Sequence, residues 1–378
     1  MVTVSAAGVG FRKGSAEVRS GDQNRAHRLG ARQNRCMSPE PSDVPETVSV
    51  QERRGIVEVL ERYGLTLNGE PKPVALSVSN RNFAVATPDG LLFVRFHAKS
   101  RTKERQELAF EVADFAAAQG ITVVAALPDA KGRRLHSLSN RFWSVFPWVE
   151  GVHLQRGAID AAGATMLGEL HGRLHATLMP FTDSRLRSDP NGSVWDSAQS
   201  MDDLGRVDDL IRYSPSPGAA QLKLQEQIRQ IMAMIDSPAS RPASDFAEMT
   251  RTVCHGDFHE RNLILGPVGE LLAVVDWEMS AMLPAVFEVL RATSFMGLLG
   301  PGLLEAYSAG YGRHAELTQC EAGVEMWWQS QLHNTWVYRA RFIEGNRAAG
   351  QFIEDHFEMV TMFKDPAFRE RVAARLRG

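Results

Sequence analysis

Three polar residues in the second half of the chain have the types and spacing that phosphoryl transfer requires. Asp257 lies in a loop, Asn262 follows it by five residues, and Asp276 ends the apolar run 272–275. One carboxylate can orient a substrate hydroxyl and accept its proton, while an amide oxygen and a second carboxylate hold Mg²⁺ against the phosphates. A loop leading into a strand lets Asp257 and Asn262 reach one centre, and Asp276 faces that centre from the paired strand. These residues predict a phosphoryl-transfer site.

Two other interpretations fit part of the same segment. A single His-Gly-Asp run at 255–257 also fits a loop in which the aspartate caps a turn. A zinc site built from His255, Asp257 and His259 lacks a distinct fourth ligand, and its spacing is not that of an HExxH helix. The later Asp276 and the strand-turn-strand pattern before it favour phosphoryl transfer.

The run HGDFHERNLIL at 255–265, followed by VVDWE at 274–278, resembles the signature of the aminoglycoside phosphotransferase and choline kinase superfamily, which has a protein kinase-like fold. The resemblance implies that Asp257 is the catalytic base, Asn262 a metal ligand and Asp276 the main metal ligand. It implies that His255 braces the loop through backbone contacts. It also implies ATP as the phosphoryl donor, with GTP as an alternative, and Mg²⁺ as the metal.

The same resemblance implies a nucleotide-binding lobe upstream. The segment 77–85 takes the place of the phosphate-covering loop, but it contains no glycine and keeps only a loose pattern that begins with Asn80. Arg95 stands where the family has a lysine, and arginine keeps the charge and binds phosphate oxygens bidentately. Its acidic partner is expected on the next helix, at Glu111 or alternatively at Glu107, one turn away. The alternative interpretation is that Arg95 is only a surface residue of the predicted hairpin.

The apolar strand 142–149, which runs into Glu150, resembles the hinge between two lobes. Adenine would hydrogen-bond to backbone groups from Phe146 to Trp148. An ordinary buried strand fits the same residues.

Apolar periodicity predicts an α+β, bilobal chain with a small antiparallel N-terminal lobe of five strands and a larger, mainly helical C-terminal lobe. A helix at 102–119 is inserted after the third strand. The five strands are expected at 74–78, 83–87, 91–96, 121–127 and 142–149. The C-terminal helices are expected at 159–178, 221–235, 286–299, 302–311, 320–344 and 348–363. The domain boundaries follow as a tail at 1–48, a nucleotide-binding lobe with its hinge at 49–149, and a catalytic and acceptor-binding lobe at 150–378.

The tail 1–48 is rich in Arg, Gly, Ser and Pro and lacks hydrophobic periodicity, which predicts disorder; a targeting signal and a natural start at Met37 are the alternatives. A net charge of −3 over 378 residues gives no basic excess for nucleic-acid binding. Three separated cysteines and no long apolar run fit a cytoplasmic protein without a membrane partner. The oligomeric state is left open.

The acceptor pocket is expected among the C-terminal helices, where aromatic and acidic residues lie on one predicted helix. An aromatic wall with carboxylates would suit a cationic amino alcohol or an aminoglycoside, although the tryptophans fit a core equally well. Glu288 is expected to replace an aspartate that braces the catalytic loop. The residues concerned on the long helix are Glu325, Trp327, Trp328, His333, Trp336, Tyr338 and Glu344.

Three functions fit these residues. The first is an ATP-dependent O-phosphotransferase acting on a small molecule such as an amino alcohol or amino sugar. The second is a Ser/Thr protein kinase, because the segments 80–81, 93–96 and 145–147 are similar to the stress response kinase A group and, more loosely, to homoserine kinase-like proteins. The third is a nucleotide-binding pseudokinase that acts as an interaction module, which the glycine-free loop and Arg95 favour.

Overall fold

The computed structural model describes residues 47–74, 80–187 and 194–377. The predicted α+β class with two lobes is confirmed. The predicted tail lies almost wholly outside the described residues, and so does 75–78 of the first predicted strand. No helix in the described part of the chain is long and apolar enough to cross a membrane.

The N-terminal lobe contains an antiparallel sheet and two helices, of which the first packs in the apolar core of the sheet. Its strands pair in the order β1-β2-β3-β5-β4, and the predicted hairpin joins β2 to β3 with Thr87 opposite Gly90. Alternate residues of β2, Phe83 and Val85, are fully buried and pack with Ile56 of the first helix in a separate apolar core. The elements are α1 (Val50–Arg62), β1 (Lys72–Val74), β2 (Arg81–Thr87), β3 (Gly90–Phe96), α2 (Lys103–Ala118), β4 (His136–Leu138) and β5 (Arg141–Pro147).

The strand predicted at 121–127 is wrong. Ile121 packs in the large core of the C-terminal lobe, and Val123 forms only an isolated parallel bridge with Val274. The segment is extended but is shared between two lobes, so it joins no sheet. The fifth strand is instead β4, which the left-handed residues Ser139 and Asn140 turn back onto β5.

The C-terminal lobe is helical around two short two-stranded antiparallel sheets. Helices α3 and α7 touch backbone to backbone, because a Cβ atom added to Gly168 would lie 1.9 Å from the carbonyl oxygen of Tyr307. The helices are α3 (Ala161–Leu178), α4 (Ser197–Arg212), α5 (Ala219–Ile235), α6 (Ala285–Phe295), α7 (Leu303–Tyr311), α8 (Cys320–His333), α9 (Trp336–Tyr338), α10 (Ile353–Lys364) and α11 (Pro366–Arg377). The strands are β6 (Thr252–Cys254), β7 (Leu263–Leu265), β8 (Leu271–Val274) and β9 (Ala281–Leu283).

The single helix predicted at 320–344 is divided. It ends at His333 because Asn334 takes an extended conformation, with φ −79° and ψ 91°. A π-helical turn at Arg339–Ile343 follows α9. The chain therefore changes direction where the sequence pattern suggested one continuous rod.

Candidate active site

The hairpin of β7 and β8 brings Asn262 and Asp276 together. Leu263 pairs with Val274, so the residue before β7 and the residues after β8 lie at the same end of the hairpin. The backbone N–H of Val275 donates to the carbonyl of Asn262 at 2.9 Å, which closes that end. Both predicted metal ligands line one cleft between the lobes.

Asp276 has left-handed backbone angles, φ 66° and ψ 60°. A non-glycine residue in this region is strained by about 1–3 kcal/mol and is commonly retained where a side chain must be aimed. Its carboxylate points toward the N-terminal lobe, where Arg95 Nη1 donates to Oδ1 at 2.8 Å.

The catalytic loop holds Asp257 next to Asn262. The Asn262 Nδ2 group donates to the Asp257 backbone oxygen at 2.7 Å and to its Oδ2 at 3.1 Å. Because Nδ2 makes both bonds, the Asn262 Oδ1 atom is the one that can face a cation. The ring of His255 supports the loop from below, since Nε2 donates to the Val275 carbonyl at 3.0 Å and Nδ1 accepts from the Asp257 N–H at 3.3 Å.

Two basic side chains flank the Asp257 carboxylate. His259 Nε2 lies 3.3 Å from Oδ2, and Arg291 Nη2 donates to Oδ1 at 2.9 Å. Burial alone would raise the pKa of Asp257, but the charges of His259 and Arg291 outweigh burial and hold that pKa well below its usual range. Asp257 in turn raises the pKa of His259 against the effect of its burial. The carboxylate therefore stays ionised across the neutral range.

Glu288 anchors the loop from α6, as the sequence suggested. Its carboxylate accepts the N–H of Gly256 and lies 3.2 Å from His171 Nε2 and 2.7 Å from His175 Nε2. Both imidazoles thus donate through Nε2, and their Nδ1 atoms accept from Tyr307 and Tyr311 at 2.6 and 2.7 Å. The close approach of α3 and α7 makes these contacts. Since every imidazole nitrogen has a protein partner, this cluster is a brace.

The predicted partners of Arg95 are wrong. Glu111 pairs with Arg185 and Glu107 with Lys103 at 3.4 Å, because both glutamates lie on the solvent side of α2. Several residues of α2 line the cleft, and one of them, Gln106, is fully buried with two amide atoms that have no hydrogen-bond partner among the described residues.

Glu278 is the site residue that sequence reasoning missed. It reaches from the C-terminal lobe to Arg95 Nη1 at 3.0 Å, to His97 Nδ1 at 3.0 Å and to Arg101 Nε at 3.3 Å. Burial would raise its pKa, but Arg95, followed by His97 and Arg101, holds it far below the usual range. Its position two residues after Asp276 was the only available signal, because its partners lie on another lobe.

Asn80 is also bound to Glu278. Its Nδ2 group donates to Glu278 Oε2 at 3.1 Å, and its Oδ1 atom accepts the N–H of Ala98 at 2.9 Å. Arg95 lines the cleft and is buried, so the surface interpretation of this residue is wrong.

The predicted hinge lies along the cleft. Phe146 pairs with Phe93 across β3 and β5, and Phe146 and Trp148 both line the cleft. Pro147 lines the cleft as well, and the Trp148 indole Nε1 donates to Glu150 at 2.9 Å.

The aromatic wall predicted for the acceptor is core. Trp327 and Tyr338 are fully buried, and Trp328 is nearly so. The carboxylates beside them are already paired, Glu325 with Arg369 at 3.1 Å and Glu344 with Arg339 at 3.0 Å. These side chains stabilise the helices instead of facing a ligand.

Comparison with known proteins agrees with this geometry. A family model described as the phosphotransferase enzyme family matches residues 70–323, more than half of the chain. The chain belongs to the phosphotransferase enzyme family. The superfamily resemblance of the sequence is thereby confirmed, and this phosphotransferase is an enzyme of the kinase class. No match was found among curated protein sequences.

Solved structures share the fold of this phosphotransferase. One is a spectinomycin phosphotransferase in complex with ADP and spectinomycin, with a TM-score of 0.60, 13% identity and coverage of 85% of this chain and 97% of that one. A microcompartment-associated aminopropanol kinase has a TM-score of 0.56 and 16% identity, with coverage of 86% of this chain and 99% of that one. An amicoumacin kinase with AMP-PNP and Ca²⁺ has a TM-score of 0.55 and 14% identity, with coverage of 82% of this chain and 95% of that one. At such identities the likeness establishes the fold.

Proposed function

We propose that this phosphotransferase moves the γ-phosphoryl group of ATP to a hydroxyl of a small molecule, with Mg²⁺ as the metal. The observation that carries the proposal is the convergence of Asp257, Asn262 and Asp276 at one end of the β7–β8 hairpin. Phosphoryl transfer uses one carboxylate to orient the acceptor hydroxyl, and an amide oxygen and a second carboxylate to hold the metal.

The donor atoms fit a hard cation. The Asp276 carboxylate and the Asn262 Oδ1 atom are oxygen ligands of the kind that Mg²⁺ prefers, and both lie at the cleft. When bound there, the ion would neutralise charge on the phosphate oxygens. Arg95, which holds Asp276 at 2.8 Å, supplies a second positive charge at the same edge of the cleft.

Asp257 would act on the acceptor. In the proposed step the acceptor O–H bond breaks as its oxygen bonds to the γ-phosphorus, the bond from that phosphorus to the bridging oxygen breaks to release ADP, and the proton passes to Asp257. Because His259 and Arg291 stabilise the ionised form, Asp257 is a weak base. We expect it to orient the hydroxyl from the start and to take the proton late.

Small alcohols are supported as acceptors by the neighbours, since those described above are named for antibiotics and for aminopropanol. An amino alcohol or amino sugar was the class suggested by the sequence. Glu325 and Glu344, two of the carboxylates in that suggestion, form ion pairs with Arg369 and Arg339.

Acceptor-dependent release of ADP tests the proposal. Wild-type protein, ATP and Mg²⁺ are assayed with a panel of amino alcohols, amino sugars, hydroxy acids, nucleosides and casein. We expect turnover with a small alcohol and loss of about 10²–10⁴-fold in Asp257→Asn. Asp209→Asn, which changes an exposed aspartate of α4, is the matched control, and equal loss in both variants would refute the assignment of Asp257.

A further inference from the structure

Arg291 is a cation placed directly on the catalytic carboxylate. It lies on α6, one turn after Glu288, and its Nη2 atom donates to Asp257 Oδ1 at 2.9 Å. The guanidinium is 4.8 Å from the ring centre of Phe295, and the side chain is only 16% exposed. Its Nε atom is buried and has no hydrogen-bond partner among the described residues. A guanidinium has five N–H donors, so the contact with Asp257 leaves most of them unused.

Arg291 and Asp257 are not among the residues that line the cleft between the lobes, whereas Arg95, Asn262 and Asp276 line it. The phosphates and the metal would occupy the cleft, and an acceptor hydroxyl bound to Asp257 would lie next to Arg291, which contacts the same carboxylate.

The carboxylates that were predicted to bind a cationic acceptor, Glu325 and Glu344, already form ion pairs with Arg369 and Arg339. The Arg291 guanidinium is mostly removed from water and has an N–H donor without a protein partner among the described residues, so it favours an anion. Arginine is suited to carboxylates and phosphates because its planar fork binds two oxygens at once.

We propose that Arg291 determines specificity for an acceptor that carries an acidic group close to its reacting hydroxyl. This inference rests on the phosphotransferase function proposed above and narrows its substrate class. A hydroxyl hydrogen-bonded to Asp257 lies about 2.7–2.8 Å from that carboxylate. Arg291 contacts the same carboxylate, so a carboxylate or phosphate two or three bonds from the hydroxyl reaches the unused donors. An amino group elsewhere in the molecule is compatible with this arrangement.

A matched acceptor series tests the inference. Glycolate, 3-hydroxypropionate, 4-hydroxybutyrate and glycerol 3-phosphate are compared with the corresponding hydroxy amides and with ethanolamine and 3-aminopropanol, using ATP and Mg²⁺. We expect wild-type kcat/KM to favour an acid over its amide by about 10- to 100-fold, the strength of a hydrogen bond to a charged group. Comparison of the hydroxy carboxylates with glycerol 3-phosphate shows whether the acidic group is a carboxylate or a phosphate.

Variants of Arg291 separate specificity from positioning. Arg291→Gln should raise the KM for the acid and abolish the preference over the amide, while Arg291→Lys should keep part of it. Arg313→Gln, an exposed arginine of the same lobe, should leave the preference unchanged. Equal losses for acid and amide in Arg291→Gln would mean that Arg291 only positions Asp257, and the inference would be overturned.

Binding separates this inference from the parent proposal. The same probes are titrated by NMR into protein loaded with AMP-PNP and Mg²⁺. Arg291-dependent binding of an acid without any turnover would support the acidic site and count against phosphoryl transfer. Turnover of amines or amides with no preference for an acid would overturn the acidic site and leave phosphoryl transfer intact. Binding of no acid by the wild-type protein would also overturn it.

Discussion

Mild acidification should weaken the brace beneath the catalytic loop. His171 is fully buried between Glu288 and Tyr307, and burial, followed by the charge of His175, lowers its pKa from 6.5 to about 4. The unfolded chain therefore takes up a proton below pH 6.5 that the folded chain refuses until about pH 4. Stability from this group is complete above pH 6.5 and falls as the pH decreases toward 4.

The magnitude follows from the size of the shift. A difference of about 2.5 pKa units corresponds to a full loss of about 3 kcal/mol, of which about 2 kcal/mol is lost at pH 5. His356 is buried under Tyr338, and burial likewise lowers its pKa to about 4, so it adds a similar loss. Carboxylates with lowered pKa values contribute little until the pH falls below about 4.5.

Urea unfolding at pH 7 and pH 5 measures this loss. His171 and His356 together should lower the wild-type free energy of unfolding by about 4 kcal/mol, and His171→Gln and His356→Gln should each lose about 2 kcal/mol less on acidification. The two variants are matched in burial, but only His171 contacts the anchor of the catalytic loop, so only His171→Gln should also lower kcat. An unchanged pH dependence in both variants would refute the reasoning.

Three further predictions concern the interlobe contact, helix packing and the metal. Glu278→Gln should destabilise the fold by about 3 kcal/mol in urea unfolding, because it removes the buried carboxylate that faces both Arg95 and Arg101. Gly168→Ala should cost about 1–3 kcal/mol since its Cβ would meet the α7 backbone, whereas Gly205→Ala, with nothing within 4 Å, should stabilise by about 0.5–1 kcal/mol in thermal unfolding. Asp276→Asn should abolish the tightening of ATP binding by Mg²⁺ in calorimetry, as EDTA should in the wild-type protein.

Each of these has a contrary outcome. A Glu278→Gln protein as stable as wild type would show that the interlobe ion pairs contribute nothing net. Equal effects of alanine at Gly168 and Gly205 would contradict the close approach of α3 and α7. Mg²⁺-dependent ATP binding that survives in Asp276→Asn would place the metal elsewhere.

Local pattern was sufficient for the catalytic segment. The spacing of Asp257 and Asn262, and the turn that returns the chain to Asp276, are short-range features, and the structure brings these three residues together. The β2–β3 hairpin follows in the same way from apolar alternation around the turn at 88–89.

Long-range contacts were not available from the sequence. Arg95 contacts Glu278, which is 183 positions further along the chain. The periodicity of α2 pointed to Glu111 on the neighbouring helix and contained no information about Glu278. The segment 121–127 has the apolar character of a strand, yet Ile121 packs into the core of the other lobe. Tertiary packing decided both cases, because a pattern shows that a face is buried without showing against what.

Transfer of ³²P from [γ-³²P]ATP to an alcohol is the most direct test of the central claim. Wild-type protein with Mg²⁺ and the acceptor panel should form a labelled phosphate ester, and Asp257→Asn should form it about 10²–10⁴ times more slowly. Labelled ester formed at the same rate by both proteins, or no labelled ester although ATP and Mg²⁺ bind, would contradict the account.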